Sequence, residues 1–143
     1  MLVLAAGCKK DETDYAPIDK KIIEDYLAAK GLTATGSTAS GIYYIIVKAG
    51  GLNHPNINSD VSVNYKGYLT NDTVFDESYS SGTPSSFALS AVIKGWQEGI
   101  PLFGVGGKGK LLIPSDLGYG AVAKTNIPAH SVLIFDIELV DYW

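Results

Sequence analysis

At 143 residues the chain amounts to one domain, and a domain of that size buries roughly 68–70% of the surface its unfolded chain exposes. With 46% hydrophobic residues and 16 glycines, the composition is that of a turn-rich globular protein and excludes a disordered chain. The formal charge of −4, with 11 Lys and Arg scattered among 15 acids, leaves no basic stripe for nucleic acid, and the lone Cys8 excludes an intramolecular disulfide and a multi-cysteine zinc site.

The chain opens on a short apolar run that ends Ala5-Ala6-Gly7-Cys8 and resembles a lipobox, in which cleavage leaves an acylated cysteine at the new N-terminus. Residues 1–16 are therefore expected to be a lipoprotein signal remnant and flexible tail, with Cys8 the site of lipid attachment. No stretch of about 18 apolar residues supplies a spanning helix, so the expected location is the bacterial cell envelope. There the protein would be lipid-anchored to the outer membrane, facing periplasm or cell surface. The following Lys9-Lys10-Asp11-Glu12 resembles the charged export tag of surface lipoproteins.

Residues 17–30 carry Ile18, Ile22, Ile23, Tyr26 and Leu27 at helical spacing, with Pro17 suited to the first turn and Gly31 to the stop. A helix of about four turns packs on its own domain or acts as a spacer. Residues 33–40 read as a Ser/Thr/Gly/Ala linker, so residues 17–40 form an N-terminal helix and linker ahead of a domain over residues 41–143.

From Gly41 the hydrophobic period becomes two. Tyr43–Lys48 begins the strands. Val61, Val63 and Tyr65 alternate with Ser62, Asn64 and Lys66, and Leu133, Phe135, Ile137 and Leu139 share one face of the last strand, so that these faces are expected to meet in one core. Shorter strands are expected at Val74-Phe75, at residues 86–89 and at Lys108–Ile113. Only residues 95–103 break the pattern, placing Trp96, Ile100 and Phe103 on one face of a helix of about two turns that Pro101 must fray or tighten. The expected fold class is α+β: a five- or six-stranded antiparallel sheet wrapped around one short helix, with an extra N-terminal helix.

Gly104, Gly106 and Gly109 spell G-x-G-x-x-G, but a phosphate loop needs a helix directly afterwards, and Lys108–Ile113 reads as a strand with Leu111 where Ser or Thr would hold magnesium. His54 and His130 sit beside proline-containing turns without local metal ligands and read as surface histidines. No G-x-S-x-G elbow marks a nucleophile. No cofactor and no metal are expected.

The remaining motifs are Val63-Asn64-Tyr65-Lys66-Gly67, Val74-Phe75-Asp76, Val92-Ile93-Lys94-Gly95-Trp96, Leu117-Gly118-Tyr119-Gly120, Ile127-Pro128 and Phe135. In this order and spacing they resemble the FKBP-type peptidyl-prolyl cis-trans isomerases over roughly 100 residues, those from Gly41 to Tyr142. The resemblance implies a proline pocket in which Tyr65, Phe75, Val92, Trp96, Ile127 and Phe135 bind substrate, with Trp96 as the floor. It implies catalytic roles for Asp76, Tyr119 and Ile93: the Ile93 backbone N–H and the Tyr119 hydroxyl bond substrate carbonyls, and Asp76 sits near the reacting amide. It also implies proline-containing polypeptide clients outside the cytoplasm, and macrolide ligands. Ser85 stands where ligand-binding members often carry an aromatic residue, and Ser81 near where they carry a basic one, which thins one expected wall. A proline-pocket chaperone or binding module with little turnover is the alternative reading.

Overall fold

The structure is a computed structural model describing residues 12–143. Cys8 and the lipobox-like run lie outside the described residues.

Helix α1 spans Tyr15–Lys30. The Asp14 side chain accepts from the Ala16 N–H at 3.1 Å, and Gly31 closes the helix in the left-handed region at φ 67°, a conformation that costs glycine nothing. Of the five apolar residues in its sequence pattern, Ile23, Tyr26 and Leu27 are buried, while Ile18 and Ile22 face outward. The helix packs on its own domain.

Seven strands follow: β1 (Gly36–Ser37), β2 (Tyr43–Lys48), β3 (Asp60–Tyr68), β4 (Val74–Glu77), β5 (Ser85–Ala88), β6 (Lys108–Ile113) and β7 (Leu133–Tyr142). All pair antiparallel in the order β1-β2-β6-β7-β3-β4, and β5 shares the outer edge of β3 with β4. The segment read as a linker supplies the seventh strand. Its Thr35 N–H reaches the Tyr44 carbonyl at 2.8 Å and the Thr35 hydroxyl accepts from the Ile46 N–H at 2.8 Å, so a Ser/Thr-rich stretch satisfies the sheet edge instead of spanning solvent.

On the inner face of the sheet Val61, Val63, Tyr65, Leu111, Ile113, Leu133, Phe135, Ile137 and Leu139 pack on helix α2 (Lys94–Gly99). The 3-10 turn Ile100–Leu102 prolongs α2 and tightens its end, since Pro101 has no N–H to continue an α-helix. Trp96, Ile100 and Phe103 all face this core. The inner-facing residues of β3 and β7 meet in one core as expected, and the outer face adds a second. There Tyr68, Leu112 and Ile134 meet Ile23, Tyr26 and Leu27 of α1 in a second cluster. Strand alternation sends Leu112 and Ile134 away from the first core, and an amphipathic helix covers them.

The G-x-G-x-x-G loop runs into β6 as expected, with the Gly106 N–H donating to the Leu139 carbonyl at 2.7 Å. The surface reading is right for His54 and wrong for His130, which is half-buried with its ring stacked on Tyr15 at 3.8 Å between centroids.

Candidate functional site

Strand β3 delivers Tyr65 to the inner face, and the same face continues at Gly67. A Cβ at Gly67 would stand 2.7 Å from both the Phe75 and the Phe135 rings, so only a residue without a side chain lets these aromatics approach across the strand. Ser78 secures the bend that follows β4: it is buried, its hydroxyl accepts from the Tyr65 N–H at 2.8 Å, and its own N–H donates to the Tyr65 carbonyl at 2.9 Å. Asp76 is thereby presented beside Tyr65, whose hydroxyl donates to Asp76 Oδ2 at 2.7 Å.

Helix α2 brings up the floor. Gly95 allows it to lie against the sheet, because a Cβ there would stand 2.5 Å from the Ile113 side chain. Trp96 is nearly fully buried and meets three rings edge-on: Tyr65 at 5.1 Å, Phe135 at 5.3 Å and Phe87 at 5.5 Å between centroids. Such contacts put the positive ring edge against the negative face of the neighbour and add about 0.5–1.5 kcal/mol per pair beyond area burial. The Trp96 Nε1–H has no hydrogen-bond acceptor among the described residues.

Ile93 caps α2, its carbonyl accepting from the Trp96 and Gln97 N–H groups at 3.0 and 3.1 Å. Gln97 folds back so that Nε2 donates to the Val92 carbonyl at 2.9 Å, which holds the extended Val92-Ile93 segment open over the floor. Across from it, the turn after β6 carries Tyr119, more than a third exposed, with the Lys124 ammonium 5.6 Å from its ring centroid.

These elements enclose a cleft of about 410 Å³ lined by Tyr65, Phe75, Asp76, Phe87, Ala91, Val92, Ile93, Trp96, Tyr119, Ile127 and Phe135. All nine residues singled out in the sequence as catalytic or substrate-binding stand on its walls. Sequence reasoning missed Phe87 and Ala91, and with them the supporting Ser78 and Gln97. Period-two alternation puts Phe87 on the same face of β5 as Ser85, so that signal was present. Ser85 is half-buried opposite Val63 but does not reach the cleft, and the Phe87 ring, two residues on, forms the wall that was expected to be thin. Ser81 also stays outside, its hydroxyl donating to the Ser78 and Thr83 carbonyls at 2.7 and 2.9 Å.

The electrostatics are those of a dry wall with a polar rim. Burial, then the hydrogen bond to Asp76 and its charge, hold the Tyr65 phenol well above its usual value, so it remains a donor at neutral pH. Both Asp76 oxygens are engaged, Oδ2 by Tyr65 and Oδ1 by the Glu77 N–H at 2.9 Å, which fixes the orientation of the carboxylate. Among the described residues no group of three or more His, Cys, Asp or Glu is placed to hold a metal ion. The arrangement can bind a compact apolar ring on Trp96 and meet polar groups at its edge.

A family model described as FKBP-type peptidyl-prolyl cis-trans isomerase matches residues 51–140. The FkpA isomerase of Buchnera aphidicola subsp. Schizaphis graminum is 44% identical over 134 residues, which cover 93% of this chain and 52% of that protein. FkpA of Escherichia coli is 40% identical over 136 residues, covering 95% of this chain and 49% of the relative, so the chain spans about half the length of these proteins. The crystal structure of E. coli FkpA aligns with TM-score 0.78 over 90% of this chain and 61% of that one. A shorter relative named FK506-binding protein 1, from Dictyostelium discoideum, is 44% identical over 105 residues, 71% of this chain and 98% of that protein.

Proposed function

The chain belongs to the FKBP-type peptidyl-prolyl cis-trans isomerase family, and we propose that it accelerates rotation about X-Pro bonds in proline-containing polypeptides. The observation that carries this reading is the single cleft in which Trp96 is the floor, four further aromatic side chains are the walls, and Asp76, Ile93 and Tyr119 stand at the rim.

Rotation about the resonance-stabilised amide passes a barrier of roughly 18–20 kcal/mol. An acceleration of about four decades asks for roughly 5.4 kcal/mol, which needs neither a metal nor a covalent intermediate. In the twisted amide resonance is lost and the oxygen carries less charge, so a wall of Tyr65, Phe75, Phe87, Trp96 and Phe135 penalises the twisted state less than the planar one. With the prolyl ring seated on Trp96, the Tyr119 hydroxyl and the Ile93 N–H bond flanking carbonyls and hold the chain on either side of the rotating bond. Asp76, fixed by Tyr65, acts electrostatically on the reacting amide and not as a base.

The clients are placed outside the cytoplasm and the protein at the bacterial outer membrane on the strength of the lipobox-like run, with acylated Cys8 as the anchor. Two or more acyl chains are needed for stable anchoring. With a complete signal sequence supplied, Cys8→Ser is expected to release the protein from membrane fractions, and unchanged retention would refute the anchor.

The isomerase reading is tested with a short proline peptide whose cis and trans forms are followed by NMR exchange. Catalysed exchange that a macrolide suppresses while quenching Trp96 fluorescence is the expected result, since Phe87 supplies the apolar wall. Macrolide and peptide binding without accelerated exchange would instead establish a binding module.

A further inference from the structure

Asp19 lies on α1, before the residues that the family model matches, and only 1% of its surface is exposed. Burying a carboxyl is costly unless it is hydrogen-bonded, and among the described residues Asp19 has one set of partners: Oδ2 accepts from the Ser115 N–H at 2.8 Å and from the Ser115 hydroxyl at 2.6 Å. Its Oδ1 is buried without a partner among the described residues. Whatever Asp19 does, it does through Ser115.

Ser115 is itself fully buried and opens the 3-10 turn Ser115–Leu117. Its carbonyl accepts two N–H groups, from Gly118 at 3.0 Å and from Gly120 at 2.8 Å, and these are the residues on either side of Tyr119. The far side of the same loop is tied as well: the Gly120 carbonyl accepts from the His130 N–H at 2.8 Å, and the His130 ring is stacked on Tyr15. Tyr15 and Asp19 are four residues apart on one face of α1, so one helix face touches both anchor points of the Tyr119 loop.

Tyr119 needs such support because, unlike Trp96, it is not wedged into a core. More than a third of its surface is exposed, and apart from the Lys124 ammonium over its ring it relies on the loop backbone for its placement.

We infer that Asp19 is a positioning residue for Tyr119, acting through Ser115, and that α1 is thereby a working part of the site with Tyr15 as its second contact. This rests on the isomerase reading, in which the Tyr119 hydroxyl holds a substrate carbonyl. Loss of the Asp19 carboxyl frees the Ser115 N–H and hydroxyl and lets the turn relax, and the hydroxyl of Tyr119 then samples orientations that miss the substrate.

The test is a double-mutant cycle on the full chain, with proline-peptide exchange as the readout. Asp19→Ala is expected to lower kcat/KM about fivefold, and Asp19→Asn, which keeps an oxygen acceptor for Ser115, to stay within about twofold of wild type. In a Tyr119→Phe background, where there is no hydroxyl to aim, Asp19→Ala is expected to cost less than about twofold more. The same fivefold loss in both backgrounds, or a folded Asp19→Ala with wild-type activity, overturns the inference. If Asp19→Ala does not fold, Tyr15→Ala takes its place in the cycle with the same expected non-additivity, and additive losses there overturn it equally. An inactive wild type sinks the isomerase reading itself, and the positioning role with it. An active wild type indifferent to these substitutions sinks this inference alone.

Discussion

The inner face of the sheet meets the six-residue α2 with Leu111 and Ile113 beneath its glycines and with the Tyr65 and Phe135 rings around Trp96, and the outer face meets the sixteen-residue α1 largely with aliphatic side chains and tyrosines. Rings packed edge to face are stiff and cannot flow into the space beside a short helix, so part of the inner face is left as the cleft. On the outer face the aliphatic side chains of Ile23 and Leu27 pack against Leu112 and Ile134, and there the same strands simply close a core. One sheet thus yields a binding surface or a packing surface according to what is laid against it.

The largest effect expected is from Trp96→Ala, which removes the floor shared by three rings and should cost about 3–5 kcal/mol of unfolding free energy together with all proline-peptide binding. Urea unfolding checks it, and a loss below about 1 kcal/mol would break the idea that the cleft floor is also the keystone of the inner core. Leu27→Ala on the outer face should cost about 2–3 kcal/mol while leaving kcat/KM of the folded protein unchanged. It lies two turns beyond Asp19 on α1, and a parallel loss of activity would show that the two faces are not separable.

Alkaline pH probes one tyrosine on each face. Tyr65 on the inner face and Tyr68 on the outer are both held above the ordinary phenol value, by burial first and then by donating to Asp76 and Asp136 respectively. A folded-state value raised above the unfolded one contributes stability that is fully present below pH about 10 and is lost as pH rises, at up to about 1.4 kcal/mol per pH unit for each group. Thermal midpoints should fall above pH 10, more shallowly in Tyr65→Phe and in Tyr68→Phe than in wild type. An unchanged slope in either variant would remove that tyrosine from the account. Tyr119→Phe should have the smallest effect: kcat/KM down several-fold, corresponding to about 0.5–1.5 kcal/mol, with the midpoint unmoved. A matching loss of stability would make Tyr119 structural.

Much of this was legible residue by residue. Period-two alternation assigned Val61, Val63 and Tyr65 to one face and Leu133, Phe135, Ile137 and Leu139 to one face of β7, and i, i+4, i+7 spacing placed Trp96, Ile100 and Phe103 together, because side-chain direction follows directly from backbone period. The motif residues then converged on one cleft. What escaped were residues whose role depends on partners distant in sequence. Ser78 looks like any turn serine until Tyr65 is seen across from it, and Ser85 drew attention that belonged to Phe87, since a motif position does not report how far a side chain reaches.

Composition and periodicity by themselves determined the fold class and the short inner helix, because each is a local property of the chain or a pattern along it, and the motifs named nine of the eleven cleft residues only through the family they resemble. Only the tertiary structure decided that α1 closes a second core, that the stretch at residues 33–40 finishes a sheet edge, and that a buried carboxyl at Asp19 reaches Ser115 across 96 positions of chain. Those outcomes rest on which faces are left uncovered once the strands have paired, and hydrogen bonds between distant residues leave no period in the sequence to read.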